Sequence, residues 1–370
     1  MSAVAAEVSA VIVTHNSARY LPSCLASLRQ QRQRLRVIVV DNASRPEEQP
    51  QFSPLDDGEI ILNSWNRGFA PAVNQGLAHV QTPYVLVINP DVRLFPDALA
   101  HMQSFLEQRP KAAAVSPRFW WDAERTVLLP LTGEPTLTRL LLRTLAAHSS
   151  FVRQVVDRWL IRQAPRWWFA QQAMSVRAIS YGCVLLTSAA LTRIGPLDAQ
   201  FPFYYEEVEW SQRARHSGYQ LFTLPSAEAI HAFGHSSRSG SRRVQRWANV
   251  SSRRYWRGRY GKTGARLAVA LSTLEVPQIT APLHDFGVVM KPPVLSWSSV
   301  QQPQVLQVAF DPLFENAAAM FPTGHTFEWP VALWEEMPAG TYHARLLSGS
   351  SFQLVTQWRW QRSERDGLFC

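Results

Sequence analysis

Hydrophobic positions in the first ninety residues follow two alternating periods. Residues 10–14 (AVIVT) and 37–40 (VIVV) are continuous β-branched runs, the pattern of strands buried on both faces, and between them Leu21, Cys24, Leu25 and Leu28 recur at helical spacing. Residues 59–62 (EIIL) predict a third strand, 71–80 a helix and 84–88 (YVLVI) a fourth strand. Strands and helices joined by short links predict right-handed crossovers and a parallel sheet, the first half of a doubly wound α/β domain.

Farther along, the period changes. From 137 to 168, Leu137, Leu140, Leu141, Leu145, Phe151, Val152, Val155, Val156, Trp159 and Leu160 alternate with Arg139, Arg143, Arg153, Arg158, Arg162 and Arg166, which predicts a basic amphipathic helical segment. Such a segment either packs on the α/β domain or lies against an anionic membrane surface. Residues 184–186 resume a strand, and 201–218 (FPFYYEEVEWSQRARHSG) predict a short helix opened by Glu206, Glu207 and Glu209. Three acids in one turn exceed what the helix dipole calls for. After about residue 276, Pro-punctuated alternating segments (294–297, 305–310, 341–347 and 352–360) predict short antiparallel strands. The expected division is an α/β domain over residues 1–273, a Pro-rich linker over 274–293 and a small all-β sandwich over 294–370, with the α/β part able to fold alone.

Charge and cysteine content narrow the picture. The net charge is +9, and residues 238–266 contain ten basic residues and no acid, so the rest of the chain is close to neutral. Arginine dominates the cations, and its fork suits phosphate and carboxylate. Cys24, Cys183 and Cys370 are far apart and follow no metal-ligand spacing, so neither a disulfide framework nor a zinc ribbon is expected. No stretch is apolar enough to span a bilayer and the N-terminus lacks the basic flank of a secretory signal, which makes a cytoplasmic location the expectation.

In open α/β sheets ligands bind beyond the carboxyl ends of the strands. Here those ends carry Thr14-His15-Asn16, Asp41-Asn42-Ala43-Ser44 and Asn89-Pro90-Asp91. In order along the chain, VIVTHNSARYLPSCLASL, VIVVDNAS, NRGFAPAVNQGL, VLVINPDV, GCVLLTSAALTRIGPLD, FPFYYEEVEWSQRARHSGY and IHAFGHSS resemble the blocks of family 2 glycosyltransferases of the rhamnosyltransferase-like branch, over about residues 8–262. The resemblance implies a GT-A fold, Rossmann-like with a mixed sheet, and transfer from a nucleotide-diphosphate sugar with inversion at the anomeric carbon.

It also implies roles for residues. Asp41 matches the carboxylate that accepts from the pyrimidine base, with Thr14 and Asn16 walling the nucleoside. Arg67, Gly68 and Asn74 match the donor-pocket block, Arg67 as a diphosphate contact. Asn89 stands where many relatives carry the first of two acids, and Asp91 matches the second, which with His231 would hold Mg²⁺ or Mn²⁺; His235 is a substitute for His231. Glu207 matches the general base, and Glu206 beside it an acceptor-binding or supporting acid. Arg242, with Arg243 and Arg246, is positioned for a diphosphate clamp.

The expected donor is a dTDP-sugar, rhamnose by branch, or a UDP-sugar. The expected acceptor is a cell-surface glycan or lipid-linked precursor, with peripheral contact to the inner face of the membrane. The C-terminal segment resembles a fibronectin III-like or immunoglobulin-like module at fold level. Its Trp329, Trp334, Trp358 and Trp360 form either its core or a carbohydrate-binding surface. Two other classes compete: a non-catalytic nucleotide-sugar or carbohydrate binder of the same fold, and a nucleic-acid binder using the Arg-rich run with Trp247, Tyr255, Trp256 and Tyr260 interleaved. Nucleic acid is not the expected partner.

Overall fold

A computed structural model of the chain describes residues 7–49, 58–232, 242–274 and 284–363. The parallel half begins as the hydrophobic periods predict. β1 (Val8–Thr14), β2 (Leu35–Asp41), β3 (Gly58–Leu62) and β4 (Tyr84–Ile88) lie in the order β3-β2-β1-β4, every pair parallel. The order reverses between β1 and β4, so the carboxyl ends of β1, β2 and β4 open on one crevice.

Helices cover both faces. α1 (Leu21–Arg29) places Leu21, Cys24, Leu25 and Leu28 in one buried cluster, whereas α2 (Phe69–Leu77) places Ala70 and Val73 in the other. A Cβ on Gly76 would stand 2.5 Å from a methyl of Val11, so the missing side chain lets α2 lie directly on the sheet.

Beyond β4 the sheet is mixed, antiparallel except where β6 (Ala112–Trp120) pairs parallel with β9 (Gln220–His231). β5 (Val92–Leu94), α3 (Ala98–Glu107) and β6 (Ala112–Trp120) follow β4 in sequence. Next come α4 (Leu137–His148), α5 (Ser150–Gln163), α6 (Pro165–Trp168), β7 (Met174–Val176), β8 (Cys183–Thr187), α7 (Ser188–Ile194), α8 (Glu206–His216) and β9 (Gln220–His231). β8 sits between β4 and β6, antiparallel to both, and the sheet ends β6-β9-β5 with β7 also on β9, nine strands among the described residues. The fold class is therefore the expected one, a doubly wound mixed α/β sheet with further β structure after it. α9 (Arg242–Thr273) is broken at Gly261, where φ is +69°.

The C-terminal part forms a five-stranded sheet in the order β10-β16-β15-β12-β13, from β10 (His284–Val289), β12 (Gln304–Ala309), β13 (Ala318–Met320), β15 (Gly340–Ser348) and β16 (Gln353–Arg362). A two-stranded ribbon, β11 (Leu295–Ser296) with β14 (Thr326–Phe327), and the short helix α10 (Val331–Glu336) complete it. Part of the expected linker is thus a strand, β10, which pairs parallel with β16. Trp329, Trp334, Trp358 and Trp360 are all at most 4% exposed, so they are core residues and present no carbohydrate-binding surface. Cys24 and Cys183 are buried free thiols; Cys370 lies outside the described residues.

The two parts share a core, which the expectation of a separable α/β domain did not include. Trp120, Leu128, Trp167 and Trp168 cluster with Val305, Ala319 and Leu347. Leu128 and Ala319 exchange two backbone hydrogen bonds of 2.8 and 2.9 Å. Arg345, 2% exposed, donates to Gln307 at 2.7 Å and to Asp157 of α5 at 3.3 Å.

Candidate active site

The floor of the crevice is set by strand register. Pairing of β1 with β2 puts Thr14 beside Asp41, and both are buried. The Asp41 carboxylate accepts from the Ser44 hydroxyl at 2.5 Å and from the Ser44 amide at 3.2 Å, while the Ser44 hydroxyl accepts from the Asn16 amide at 2.8 Å. Asn16 and Ala43 have positive φ, and the Asn16 side chain accepts from the Arg45 amide. Asp41 therefore orders this turn and keeps one lone pair per oxygen for a ligand. Thr14 Oγ1 is buried without a hydrogen-bond partner.

The second wall is the loop before α2, and an amide network absent from the sequence reading builds it. Asn42 accepts from the Arg67 amide and the Asn63 side chain, and donates to Asn66 Oδ1 and the Gly68 carbonyl. Asn63 and Gln75 exchange a further pair. Arg67 is exposed and rests on the ring of Trp65, 5.1 Å from its centroid. Gly68 has φ +93°, and a Cβ there would lie 2.5 Å from the Pro202 carbonyl oxygen, to which the Phe69 amide donates at 2.7 Å. Glycine is required both for the conformation and for the approach. Asn74 reaches a different place from the expected one: its amide group donates to and accepts from the backbone of Leu197, at 2.7 and 3.1 Å. It fastens α2 to the 195–198 turn rather than lining the crevice.

The clamp on Pro202 leads to the carboxylates. Tyr204 and Tyr205 both adopt left-handed backbone, φ +65° and +70°, just before α8, a strain of about 1–3 kcal/mol each that surrounding contacts must hold. Glu206 and Glu207 then open the helix. Glu206 is 5% exposed with Oε2 unpartnered, and burial together with the charge of Glu207 pushes it well above the usual carboxylate range. Burial pushes Glu207 up to about 7. Glu209 differs, being paired to Arg213 at 2.7 and 2.9 Å, and Trp210 is a core residue donating to the Gly195 carbonyl.

A short segment, 179–182, ties α8 to the other side. The Ser211 hydroxyl donates to the Glu207 carbonyl at 2.6 Å and accepts from the Ile179 amide, and Tyr181 packs edge-on against Trp210. At its far end, the Gly182 carbonyl accepts from the Asn89 amide at 2.8 Å, and a Cβ on Gly182 would meet the His231 ring at 3.0 Å.

Pairing of β5 with β9 sets Val92 opposite His231, which brings His231 Nε2 to 3.6 Å from Asp91 Oδ1. That oxygen is buried and accepts no hydrogen bond. A carboxylate and an imidazole converging in this way fit a divalent cation whose remaining ligands are phosphate oxygens and water. Among the described residues no group of three or more His, Cys, Asp or Glu suited to a metal occurs, so these residues offer a cation the Asp91–His231 pair. His231 also borders a cavity of about 60 Å³ lined by Phe119, Leu131, Trp167 and Ser180.

The Arg-rich run is partly structural. Arg254 pairs with Asp198, and Arg259 with the buried Glu134, which also binds Arg177 and Arg215. Burial opposes the charge on Glu134, yet the Arg177 hydrogen bond and the nearby guanidiniums hold it below its ordinary value. Tyr255 and Trp256 are buried and unavailable for stacking on bases, which removes two of the four aromatics behind the nucleic-acid reading. Arg242 is exposed on the first turn of α9, and His235 lies outside the described residues.

Residues 9–159 match the family model described as Glycosyl transferase family 2. Among curated relatives, an N-acetylglucosaminyl-diphospho-decaprenol L-rhamnosyltransferase of Mycobacterium tuberculosis is 24% identical over 247 residues, covering 61% of this chain and 76% of the relative. A low-salt glycan biosynthesis hexosyltransferase of Haloferax volcanii is 24% identical over 201 residues, covering 52% of this chain and 58% of the relative. Among solved structures, a mannosyltransferase from Pyrobaculum calidifontis in complex with GDP-Man and Mn²⁺ aligns with TM-score 0.42 and 16% identity, over 74% of this chain and 77% of that one. The chain carries a family 2 glycosyltransferase domain and is a nucleotide-sugar glycosyltransferase.

Proposed function

We propose that the enzyme transfers a hexose, of which rhamnose is the first candidate, from a dTDP- or UDP-sugar to a lipid-linked glycan precursor by a single displacement that inverts the anomeric carbon. The carrying observation is the pair of acids at the start of α8, Glu206 buried and Glu207 half-buried, tied through residues 179–182 to Asn89 and His231. The relative that acts on a diphospho-decaprenol acceptor supports the choice of acceptor class.

In this reading the nucleoside lies over Thr14, Asn16 and Asp41 at the ends of β1 and β2. Arg67 meets the diphosphate, and Arg242 at the start of α9 is the second candidate contact. Asn89 holds the backbone of Gly182 in place, and Asp91 with His231 would hold Mg²⁺ or Mn²⁺. A cation bound there supplies Lewis-acid stabilisation of the charge that develops on the departing diphosphate. Glu207 accepts the proton of the acceptor hydroxyl as that oxygen attacks the anomeric carbon and the carbon–oxygen bond to the diphosphate breaks. A base that titrates near neutrality is suited to this role. Glu206 stays protonated beside it and is free to donate a hydrogen bond to the acceptor.

Replacement of Asp91 tests the metal assignment. Asp91→Asn removes the charge but keeps the shape, and should weaken Mn²⁺-dependent donor binding roughly 10- to 100-fold in titration calorimetry, the scale at which metal-site substitutions act. Binding that is equally sensitive to chelator in both proteins would move the cation elsewhere.

A further inference from the structure

Helices α4 and α5 form a hairpin whose outer face belongs to neither the active site nor the shared core. On α5, Phe151 is 74% exposed, Val155 50% and Trp159 59%, at spacings of four residues, so they form one stripe. Leu141, Leu142 and Leu145 of α4 are also more than two-fifths exposed. Arg158 and Arg162 of α5 and Arg166 of α6 are exposed, and none has an acidic partner among the described residues. The acid of α5, Asp157, turns inward to Arg345, and Glu315 takes Arg139 and Arg143.

A surface that mixes aromatic and aliphatic side chains with unpaired guanidiniums suits an interface that is apolar at one depth and anionic just above it. We infer that the outer face of the α4–α5 hairpin docks the enzyme on an anionic lipid bilayer, with Phe151, Val155 and Trp159 in the acyl boundary and Arg158, Arg162 and Arg166 at the headgroup phosphates. No described helix is long and apolar enough to cross a membrane, so this contact lies in the interface plane. A second copy of the chain is the competing occupant, but a two-fold contact would set the same arginines against each other. The hairpin runs directly into α6, whose Trp167 lines the cavity at His231. An acceptor carried in the bilayer would therefore arrive beside the site, a link that rests on the proposed acceptor class.

The test is flotation of the full chain with vesicles of phosphatidylcholine alone and with phosphatidylglycerol added. Binding should require the anionic lipid and fall with salt. The double charge reversal R158E/R162E should weaken it by about thirtyfold or more, given the usual contribution of each surface arginine. F151S/W159S should abolish it, with the thermal melt and calorimetric binding of UDP or dTDP unchanged. Absence of vesicle binding, binding that survives these substitutions, or a change of oligomeric state in F151S/W159S without loss of vesicle binding would each overturn the inference. Vesicle binding by a protein that binds no nucleotide would instead overturn the proposed function and leave this face standing.

Discussion

Glu207→Gln should lower turnover by roughly 10²- to 10⁴-fold while leaving donor affinity within about twofold, because the amide keeps the shape of the side chain but accepts no proton. Rates measured as release of nucleoside diphosphate in the presence of acceptor, with calorimetry for donor binding, separate the two effects. The wild-type rate should climb as pH rises through about 7, the value to which burial lifts this carboxyl, and then level off.

Stability should move in the opposite direction. A carboxyl whose folded pKa is raised contributes stability that is fully present below its unfolded value near 4.5 and is lost as pH rises through about 7. Glu207→Gln should therefore be more stable than wild type at pH 8, by about 1–3 kcal/mol, and little changed near pH 4. A variant that is both more stable and inactive is the signature of a group held in an unfavourable state for chemistry. Retained turnover would transfer the role of base to Glu206, whose raised pKa shares the same origin.

Deleting the residues after Leu274 should give a chain without a cooperative melt. Trp120, Leu128, Trp167 and Trp168 would lose Val305, Ala319 and Leu347, and Asp157 would lose Arg345. At about 1.5–3 kcal/mol per large apolar side chain returned to water, partial exposure of these four is on the order of 5 kcal/mol, which matches the whole margin of many domains. Differential scanning calorimetry on the truncated chain decides the point. A sharp transition at the full-length temperature would show that the α/β part stands alone and that the shared core adds nothing it needs.

The parallel half of the fold was legible because buried parallel strands are near-continuous apolar runs and α1 carries a regular helical period. β6 and β9 escaped notice for a physical reason. Each carries a proline, Pro117 and Pro225, and their register breaks between Pro117 and Arg118, where residues 225–227 of β9 bulge out of the ladder. α3 offers little local signal, since Asp97 precedes it in left-handed backbone without a side-chain cap bond. β10 reads as a linker because all of it is exposed or half-buried and its strand character comes from pairing with β16.

The site divides similarly. The ordered motifs pointed to Asp91, His231, Glu206 and Glu207; the pairing of β5 with β9 sets His231 beside Asp91, and Glu206 and Glu207 open α8. Their supports were not visible, because Asn42, Asn63, Asn66 and Gln75 are ordinary loop amides until the fold closes them into one network. The two left-handed tyrosines before Glu206 leave no mark in composition, and Asn74 falls inside a donor-pocket motif while serving the backbone of Leu197.

In the proposed mechanism the crevice at the ends of β1, β2 and β4 binds a nucleotide donor with a cation at Asp91 and His231. Titration calorimetry of the wild-type protein with dTDP, UDP, GDP and CDP, each with and without Mn²⁺, tests it most directly. Binding of dTDP or UDP that strengthens at least about tenfold on adding Mn²⁺, and weaker binding of GDP, is the predicted result. No binding of any nucleoside diphosphate under either condition would contradict it.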